Sequence, residues 1–292
     1  MPLLGLLAFK RALTTMNKIL KVENLNKSFT VEASLGSKLK RFFTKEKPEV
    51  VKALNSVSFF VNSGETLGIL GESGSGKSTL ARVLMGILKA DSGEATLFGR
   101  NVLSSTGIER LKILRDMQMV FQDPFGSLDP RMTVRQIVSE PLKIHKIIPP
   151  CGLELFLEKA LNEVGLEKDV LNRYPTEFSG GQRQRIGICR ALALDPKLII
   201  ADEAVSALDV SVQAQILGLL MELKRKRGLS MIFISHDVAV VRQISDRIIL
   251  LYRGSIVEEL PADDLLTKAK HEYTKKLIAS ALALREGKTA IF

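Results

Sequence analysis

The sequence predicts an α/β fold with a mostly parallel sheet, an antiparallel β subdomain and a helical insert. Short apolar runs at Thr66–Leu70, 197–201 and Ser230–Ser235 are typical of buried strands. A helical segment, 210–226, lies between the last two runs, and this alternation indicates βαβ units. Residues 123–178 have a different character, because prolines punctuate helical segments there, and this predicts the insert.

The N-terminal third predicts the antiparallel subdomain. Segments 19–25, 54–61 and 95–98 are strand-like, and the second alternates apolar and polar residues as a half-buried strand does. A basic stretch rich in glycine, serine and lysine, 34–48, predicts an exposed loop before the second strand. A glycine-rich loop after Leu70 leads into a helix predicted over about 77–88.

The remaining elements follow from the same patterns. Apolar spacing of three and four residues predicts a helix over 154–164 within the insert. Arg247–Tyr252 and 256–259, joined through Arg253-Gly254, predict a hairpin. The C-terminal segment 265–284 has a helical pattern.

Composition limits the class of protein. The 292 residues suffice to bury a proper core, and 46% hydrophobic with 25% charged residues is the profile of a soluble globular protein. The net charge of +10 favours an anionic partner such as a nucleotide, nucleic acid or membrane surface, although a basic soluble protein without such a partner fits equally. Cys151 and Cys189 suggest neither zinc nor a disulfide framework. No apolar run reaches the ~20 residues that span a bilayer, so we expect a cytoplasmic chain.

A phosphate-binding loop is the strongest motif. Residues 71–78 fit GxxxxGK[ST] after a strand and before a helix, which is the context that this motif requires. Glycines let backbone N–H groups face the phosphates, and the helix N-terminus adds partial positive charge. Lys77 can reach the β- and γ-phosphates, and Ser78 can ligate Mg²⁺. The predicted nucleotide contacts are Gly71, Glu72, Ser73, Gly74, Ser75, Gly76, Lys77, Ser78 and Thr79.

Two carboxylates end the apolar strand near residue 200. Asp202 can hold Mg²⁺, and Glu203 can act as general base toward an attacking water. Acidic residues often follow buried strands without any such role, so this pair gains its meaning from the phosphate loop upstream.

The segment Phe178-Ser179-Gly180-Gly181-Gln182 resembles the signature motif of ATP-binding-cassette (ABC) proteins, with Phe178 in place of the usual leucine. Serine and glycine amides at a helix start form a second anion site. Val120-Phe121-Gln122 resembles the family's glutamine loop, Ser206-Ala207-Leu208-Asp209 its partner-contacting loop, and Ile234-Ser235-His236-Asp237 its γ-phosphate sensor. Together the motifs cover the chain from about residue 20 to 284.

The resemblance implies a P-loop NTPase fold of the ABC ATPase type, in which residues 16–264 form the ATPase domain. Its helical subdomain would span about 123–190. Residues 265–292 would be a C-terminal helical extension. Residues 1–15 are expected to be either a disordered N-terminal extension or the product of a mis-assigned start, with Met16 the alternative start because a strand-like segment begins just beyond it. The family pattern also makes Phe29 a candidate for stacking on adenine, although a buried core phenylalanine fits almost as well.

Site roles follow from the same resemblance. It makes Lys77, Gln122, Glu203 and His236 the catalytic set, and Ser78, Gln122 and Asp202 the Mg²⁺ ligands. In this family ATP is held between the phosphate loop of one subunit and the signature motif of another. Ser179, Gly180, Gly181, Gln182 and Asp209 would therefore serve the partner's ATP.

Three stretches, 118–131, 206–215 and 271–277, are similar to the peptide and nickel importers of the family. Ala204 and Glu272 depart from that pattern, since both replace a usual proline. The resemblance implies a second ATPase subunit, identical or related, two transmembrane permeases and an indirect periplasmic binding protein, at the cytoplasmic face of a bacterial inner membrane. It implies no nucleic acid and, because no cysteine follows Cys189, no iron–sulfur cluster.

Peptide is the favoured cargo, and nickel or another metal chelate is the alternative within the branch. A soluble ABC ATPase acting on ribosomes or DNA is the alternative from another class, and the positive charge permits it. Against it, the chain has one cassette and no long coiled coil or zinc finger.

Overall fold

The computed structural model describes residues 17–30, 50–123 and 125–289. The expectations for residues 1–15, for the basic stretch 34–48 and for Pro124 lie outside the described residues. The strands are β1 (Lys18–Thr30), β2 (Val50–Asn62), β3 (Thr66–Leu70), β4 (Ser92–Leu97), β5 (Arg100–Asn101), β6 (Met117–Val120), β7 (Leu198–Asp202), β8 (Ser230–Ser235), β9 (Arg247–Tyr252) and β10 (Ser255–Pro261).

The helices are α1 (Lys77–Leu84), α2 (Gly107–Asp116), α3 (Val134–Ile144), α4 (Leu153–Glu163), α5 (Gly180–Leu192), α6 (Val210–Arg227), α7 (Val238–Ile244), α8 (Leu265–Lys268) and α9 (Glu272–Thr289). Short 3₁₀ turns occur at Lys168–Asn172, Pro175–Glu177 and Ala262–Asp264.

The larger sheet has the order β10-β9-β3-β8-β7-β6. All its neighbouring strands are parallel except β10, which forms the predicted antiparallel hairpin with β9. Every residue of β3, β7 and β8 is buried, because both faces of this sheet are covered. The predicted α/β class with a mostly parallel sheet is confirmed.

The smaller sheet is antiparallel, with the order β2-β1-β4-β5. The described residues form two hydrophobic cores, one on each face of the larger sheet. Strand β3 contributes to both, because successive side chains of a strand point to opposite faces. Leu67 and Ile69 of β3 pack in the core shared with this smaller sheet and α1. Leu70 instead joins the core that holds the helices of the insert and of the C-terminus.

A buried ion pair joins the two sheets. Arg247 of β9 is 1% exposed, and its Nε donates to Glu65 Oε1 at 2.7 Å in the turn before β3. The same guanidinium donates to the carbonyl of Phe60 on β2 at 2.7 Å and to Glu259 on β10 at 2.6 Å. These partners satisfy the buried charge, whose desolvation would otherwise be costly.

Between β6 and β7 the described residues form helices α3 to α5 and two 3₁₀ turns, where the sequence predicts the helical insert. The helix predicted over 154–164 lies within one residue of α4 (Leu153–Glu163) at each end. The four-residue strand β6 and the helix α2 precede this region, and neither was predicted.

Two predicted helices differ from the structure. The helix expected over 77–88 ends at Leu84, because Gly86 takes a φ of +67° that terminates the turn. The helix expected over 265–284 is broken between α8 and α9. The break is stabilised by Glu258 of β10, whose carboxylate accepts the backbone N–H groups of Lys270 at 2.6 Å and His271 at 3.2 Å.

Candidate active site

The phosphate loop connects β3 to α1 and is tightly enclosed by its neighbours. A side chain on Gly71 would place its Cβ 2.3 Å from the carbonyl oxygen of Leu251, and one on Gly76 would meet that of Ala53 at 2.2 Å. Gly74 and Gly76 also have φ values of +80° and +111°, which favour glycine. The motif's glycines are therefore needed both for packing and for backbone conformation.

Lys77 lies inside this loop with 4% exposure. Its ammonium donates to the carbonyls of Gly71 at 2.7 Å and Glu72 at 2.8 Å. Burial lowers the pKa of Lys77 from its ordinary value, and the carboxylates of Glu203 and Asp202 act in the opposite direction. The side chain is thus held in the loop with its charge directed toward the end of the large sheet.

Two of the three Mg²⁺ ligands predicted from sequence, Ser78 and Asp202, present oxygen atoms at a spacing that suits this ion. Ser78 Oγ donates to Asp202 Oδ1 at 3.0 Å. Adjacent ligands of an octahedral Mg²⁺ lie about 2.9 Å apart, given metal–oxygen distances of 2.0–2.1 Å. Burial raises the pKa of the Asp202 carboxyl, while the hydrogen bond from Ser78 lowers it. A bound cation would favour the ionised form of this carboxyl further.

Glu203, the residue after β7, is the point on which the catalytic candidates converge. Gln122 Nε2 donates to its Oε2 at 2.9 Å. His236 Nδ1 and Lys77 Nζ lie 3.4 Å and 3.9 Å from its Oε1. Glu203 itself has a φ of +46°, a conformation that is uncommon for a non-glycine residue and that gathers at functional sites. Its backbone N–H donates to the carbonyl of Ile234 at 2.9 Å, which holds this conformation.

The predicted signature segment begins α5 with a capping box. Ser179 Oγ accepts from the N–H of Gln182 at 3.4 Å, and Gln182 Oε1 accepts from the N–H of Ser179 at 3.1 Å. A Cβ on Gly181 would lie 2.4 Å from Val212 Cγ1, so glycine allows α5 to pack closely against α6. Asp209 caps α6 in turn, since its Oδ1 accepts from the N–H of Val212 at 3.0 Å.

Phe29 lies on β1 directly opposite Val51 of β2 and is 39% exposed. It is therefore not part of the core. The ammonium of Lys27 lies 5.3 Å from the centre of its ring. Val51 lines the cleft described below, so the exposed ring lies on the strand pair beside it, and stacking on adenine stays a prediction.

A cleft of about 460 Å³ opens above the phosphate loop. It is lined by Val51, Lys52, Ala53, Ser73, Gly74, Gly76, Lys77, Ser78, Thr79, Gln122, Glu203 and Arg253. The predicted residues Gly71, Glu72 and Ser75 are not among those that line it. The segment 179–182 and Asp209 do not line this cleft.

Sequence reasoning missed several residues at the site. Lys52 and Arg253 line the cleft, and the hydroxyl of Tyr273 accepts the backbone N–H of Glu72 at 2.9 Å. Arg253 belongs to the predicted hairpin turn, and its basic charge was an available signal. Tyr273 is 201 residues from Glu72, so nothing local in the sequence indicates the contact.

Among the described residues, no helix has the length and apolar character needed to cross a membrane. Residues 54–206 match the family described as ABC transporter. Over 263 residues the chain is 49% identical to a probable peptide ABC transporter ATP-binding protein, y4tS, of Sinorhizobium fredii, covering 90% of this chain and 72% of that one. Over 232 residues it is 50% identical to the oligopeptide transport ATP-binding protein OppF of Bacillus subtilis, covering 79% and 76%.

Among solved structures, the chain is similar to the dimeric post-hydrolysis state of the ATP-binding cassette MJ0796 bound to ADP and Pi. The TM-score is 0.69 at 30% identity, and the alignment covers 83% of this chain and 98% of that one.

Proposed function

Because this chain belongs to the ABC transporter family and is an ATP hydrolase of it, we propose that it powers the import of di- and oligopeptides across a bacterial inner membrane. The observation that carries the hydrolytic part is the convergence of Lys77, Gln122 and His236 on Glu203, beside a phosphate loop. The peptide cargo is supported by the names of relatives at 49% and 50% identity.

Hydrolysis would proceed mostly through positioning and electrostatics. Lys77 and the loop amides stabilise negative charge on the transferring phosphoryl group. Glu203 accepts a proton from the attacking water, and Gln122 and His236 keep its carboxylate oriented. Ser78, Gln122 and Asp202 would hold Mg²⁺, which when bound neutralises charge on the β- and γ-phosphates. Phe29 would stack on the adenine at the edge of the cleft.

The position of the signature segment supports a half-site arrangement. Residues 179–182 lie outside the cleft of their own chain, so their amides would serve ATP bound to a second ATPase subunit. Asp209, at the start of α6, would contact the same partner. Loss of the γ-phosphate would then remove the shared contact and open the pair.

The remaining partners follow from the importer proposal. Two permease subunits would receive the motion through the segment after Gln122 and the helical subdomain, about 123–190, of an ATPase domain spanning 16–264. Residues 265–292 would form a C-terminal extension. A periplasmic binding protein would supply cargo, and the chain would be a peripheral protein of the cytoplasmic face. Nickel or another metal chelate is the alternative cargo.

ATP turnover tests the hydrolytic proposal. We expect Glu203→Gln to bind ATP and to release phosphate about 10²–10⁴-fold more slowly, because the general base is lost. Glu94→Gln is the matched control, since Glu94 is an exposed residue of β4. Equal turnover by the Glu203 variant and the parent would contradict the role of Glu203.

Uptake tests the cargo. In cells lacking the chain, labelled tripeptide uptake should be restored by the wild type and not by Lys77→Ala. Restoration of nickel uptake alone would favour the metal alternative. Co-purification with ribosomes rather than with membrane permeases would contradict the transport proposal.

A further inference from the structure

The C-terminal helix touches the phosphate loop at one defined point. Tyr273, in the first turn of α9, accepts the backbone N–H of Glu72 through its hydroxyl oxygen at 2.9 Å. Tyr273 is 8% exposed, so the side chain that supplies the acceptor is buried. It lies well outside residues 54–206, which match the family. A residue of the C-terminal extension is therefore part of the support of the loop.

The carbonyl of Glu72 is bound by Lys77, the proposed catalytic lysine. The carbonyl of Glu72 accepts from Lys77 Nζ at 2.8 Å and from the N–H of Ser75 at 3.2 Å. The backbone of Glu72 thus bridges Tyr273 and Lys77. Because its N–H already binds Tyr273, Glu72 contributes loop geometry rather than an amide for phosphate, which differs from the contact predicted for it from the sequence.

Tyr273 is itself well anchored. Its ring packs on Tyr252, the last residue of β9, with ring centres 4.2 Å apart. Its backbone N–H donates to His271 Nδ1 at 3.1 Å, and Glu258 holds the backbone before it. A tyrosine hydroxyl is neutral at physiological pH, and burial raises the pKa of Tyr273 further above its ordinary value. A neutral phenol suits the contact, since it accepts from Glu72 without placing a negative charge near phosphates.

We infer that Tyr273 is a positioning residue that fixes the Glu72 peptide, and through it Lys77, in the form that binds ATP phosphates. The inference rests on the proposed nucleotide function of the loop. It couples the docking of α9 to nucleotide occupancy, because an interaction that favours the binding-competent loop is in turn favoured by bound nucleotide.

Removal of the one hydroxyl tests the inference. Tyr273→Phe keeps the ring and its packing on Tyr252 but loses the acceptor for the Glu72 amide. We expect the dissociation constant for ATP to rise about 2–12-fold, the range given by the net contribution of one hydrogen bond. Tyr252→Phe is the matched control, since it removes a phenol oxygen from the neighbouring ring and leaves the Tyr273–Glu72 contact intact. Its dissociation constant should stay within about twofold of the wild type.

Hydrogen exchange of the wild-type chain gives a second measurement that does not depend on a variant's folding. ATP should slow exchange of the Glu72 amide and of the first turn of α9 together. A lower melting temperature for Tyr273→Phe with unchanged ATP affinity would show that Tyr273 only packs, and would overturn the inference. A hydrogen-exchange rate of α9 that is the same with and without ATP would also overturn it. Failure of the wild-type chain to bind ATP would instead refute the proposed function on which the inference rests.

Discussion

Gln122 and Glu203 are joined by a hydrogen bond of 2.9 Å, although 81 residues separate them in the sequence. Gln122 follows β6 at the entrance to the helical insert. The preceding carbonyl, that of Phe121, accepts from Gln184 Nε2 of α5 at 3.5 Å. The orientation of the Glu203 carboxylate, the proposed general base, is therefore linked to the helical insert through this loop.

A negative charge introduced at position 122 should act directly on Glu203, because the two side chains are in contact. In Gln122→Glu two carboxylates would face each other, and like charges at this distance raise the pKa of the pair. We expect about tenfold lower ATP turnover near pH 7, with the acidic limb of the pH–rate profile moved to higher pH. Gln122→Ala, which adds no charge, should lower turnover without moving that limb. Gln243→Glu, on the exposed side of α7, provides the matched control; a shifted limb there would point to a general charge effect.

The ionised side chain of Asp202 should lower the stability of the fold at neutral pH. Burial raises its folded pKa above the ordinary 3.8, so the unfolded chain binds fewer protons and stability falls as pH rises through this window. In chelator without nucleotide, Asp202→Asn should melt at a higher temperature than the wild type near pH 8, and the difference should shrink toward pH 4. Its ATP turnover should be lost. Asp169→Asn, at an exposed position, should change neither quantity; a lower melting temperature for Asp202→Asn would contradict the predicted sign.

Two glycines of α5 should respond oppositely to alanine. At Gly181 the new methyl group would lie 2.4 Å from Val212 Cγ1, and such overpacking costs about 1–3 kcal/mol. At Gly187 a Cβ would meet nothing within 4 Å, so alanine should stabilise the helix by roughly 0.5–1 kcal/mol. Urea unfolding measures both, and Val212→Ala should rescue Gly181→Ala. Equal effects at the two positions would exclude close helix packing as the reason for Gly181.

Elements specified by their own residues were predictable. The bounds of Thr66–Leu70 and Ser230–Ser235 were correct, because continuous apolar runs end at polar turns. The phosphate loop was also predictable, because its motif and the strand and helix on either side lie within one short stretch of sequence. The β9–β10 hairpin was predicted from two short segments, 247–252 and 256–259, joined by an Arg-Gly turn.

Elements specified by distant residues were not predictable. The four-residue strand β6 contains Gln118 and is a strand only because β7 pairs with it. The break between α8 and α9 depends on Glu258 of β10, 12 residues before Lys270. At the site, Tyr273 reaches the loop from 201 residues away through tertiary packing, and no local pattern indicates that approach. The residues proposed to act on phosphate could be identified from sequence motifs, whereas Tyr273, which contacts the loop from a distance, could not.

The absence of residues 179–182 from their own chain's cleft has a consequence for inheritance. If each ATP needs the phosphate loop of one copy and the signature segment of the other, a chain that lacks Lys77 still supplies an intact signature segment to a normal partner. Each mixed pair would then keep one complete site and lose one, rather than lose both. A defective subunit expressed beside the normal one would therefore form pairs that have a single complete ATP site. It would lower the number of fully active pairs, as a dominant-negative subunit does.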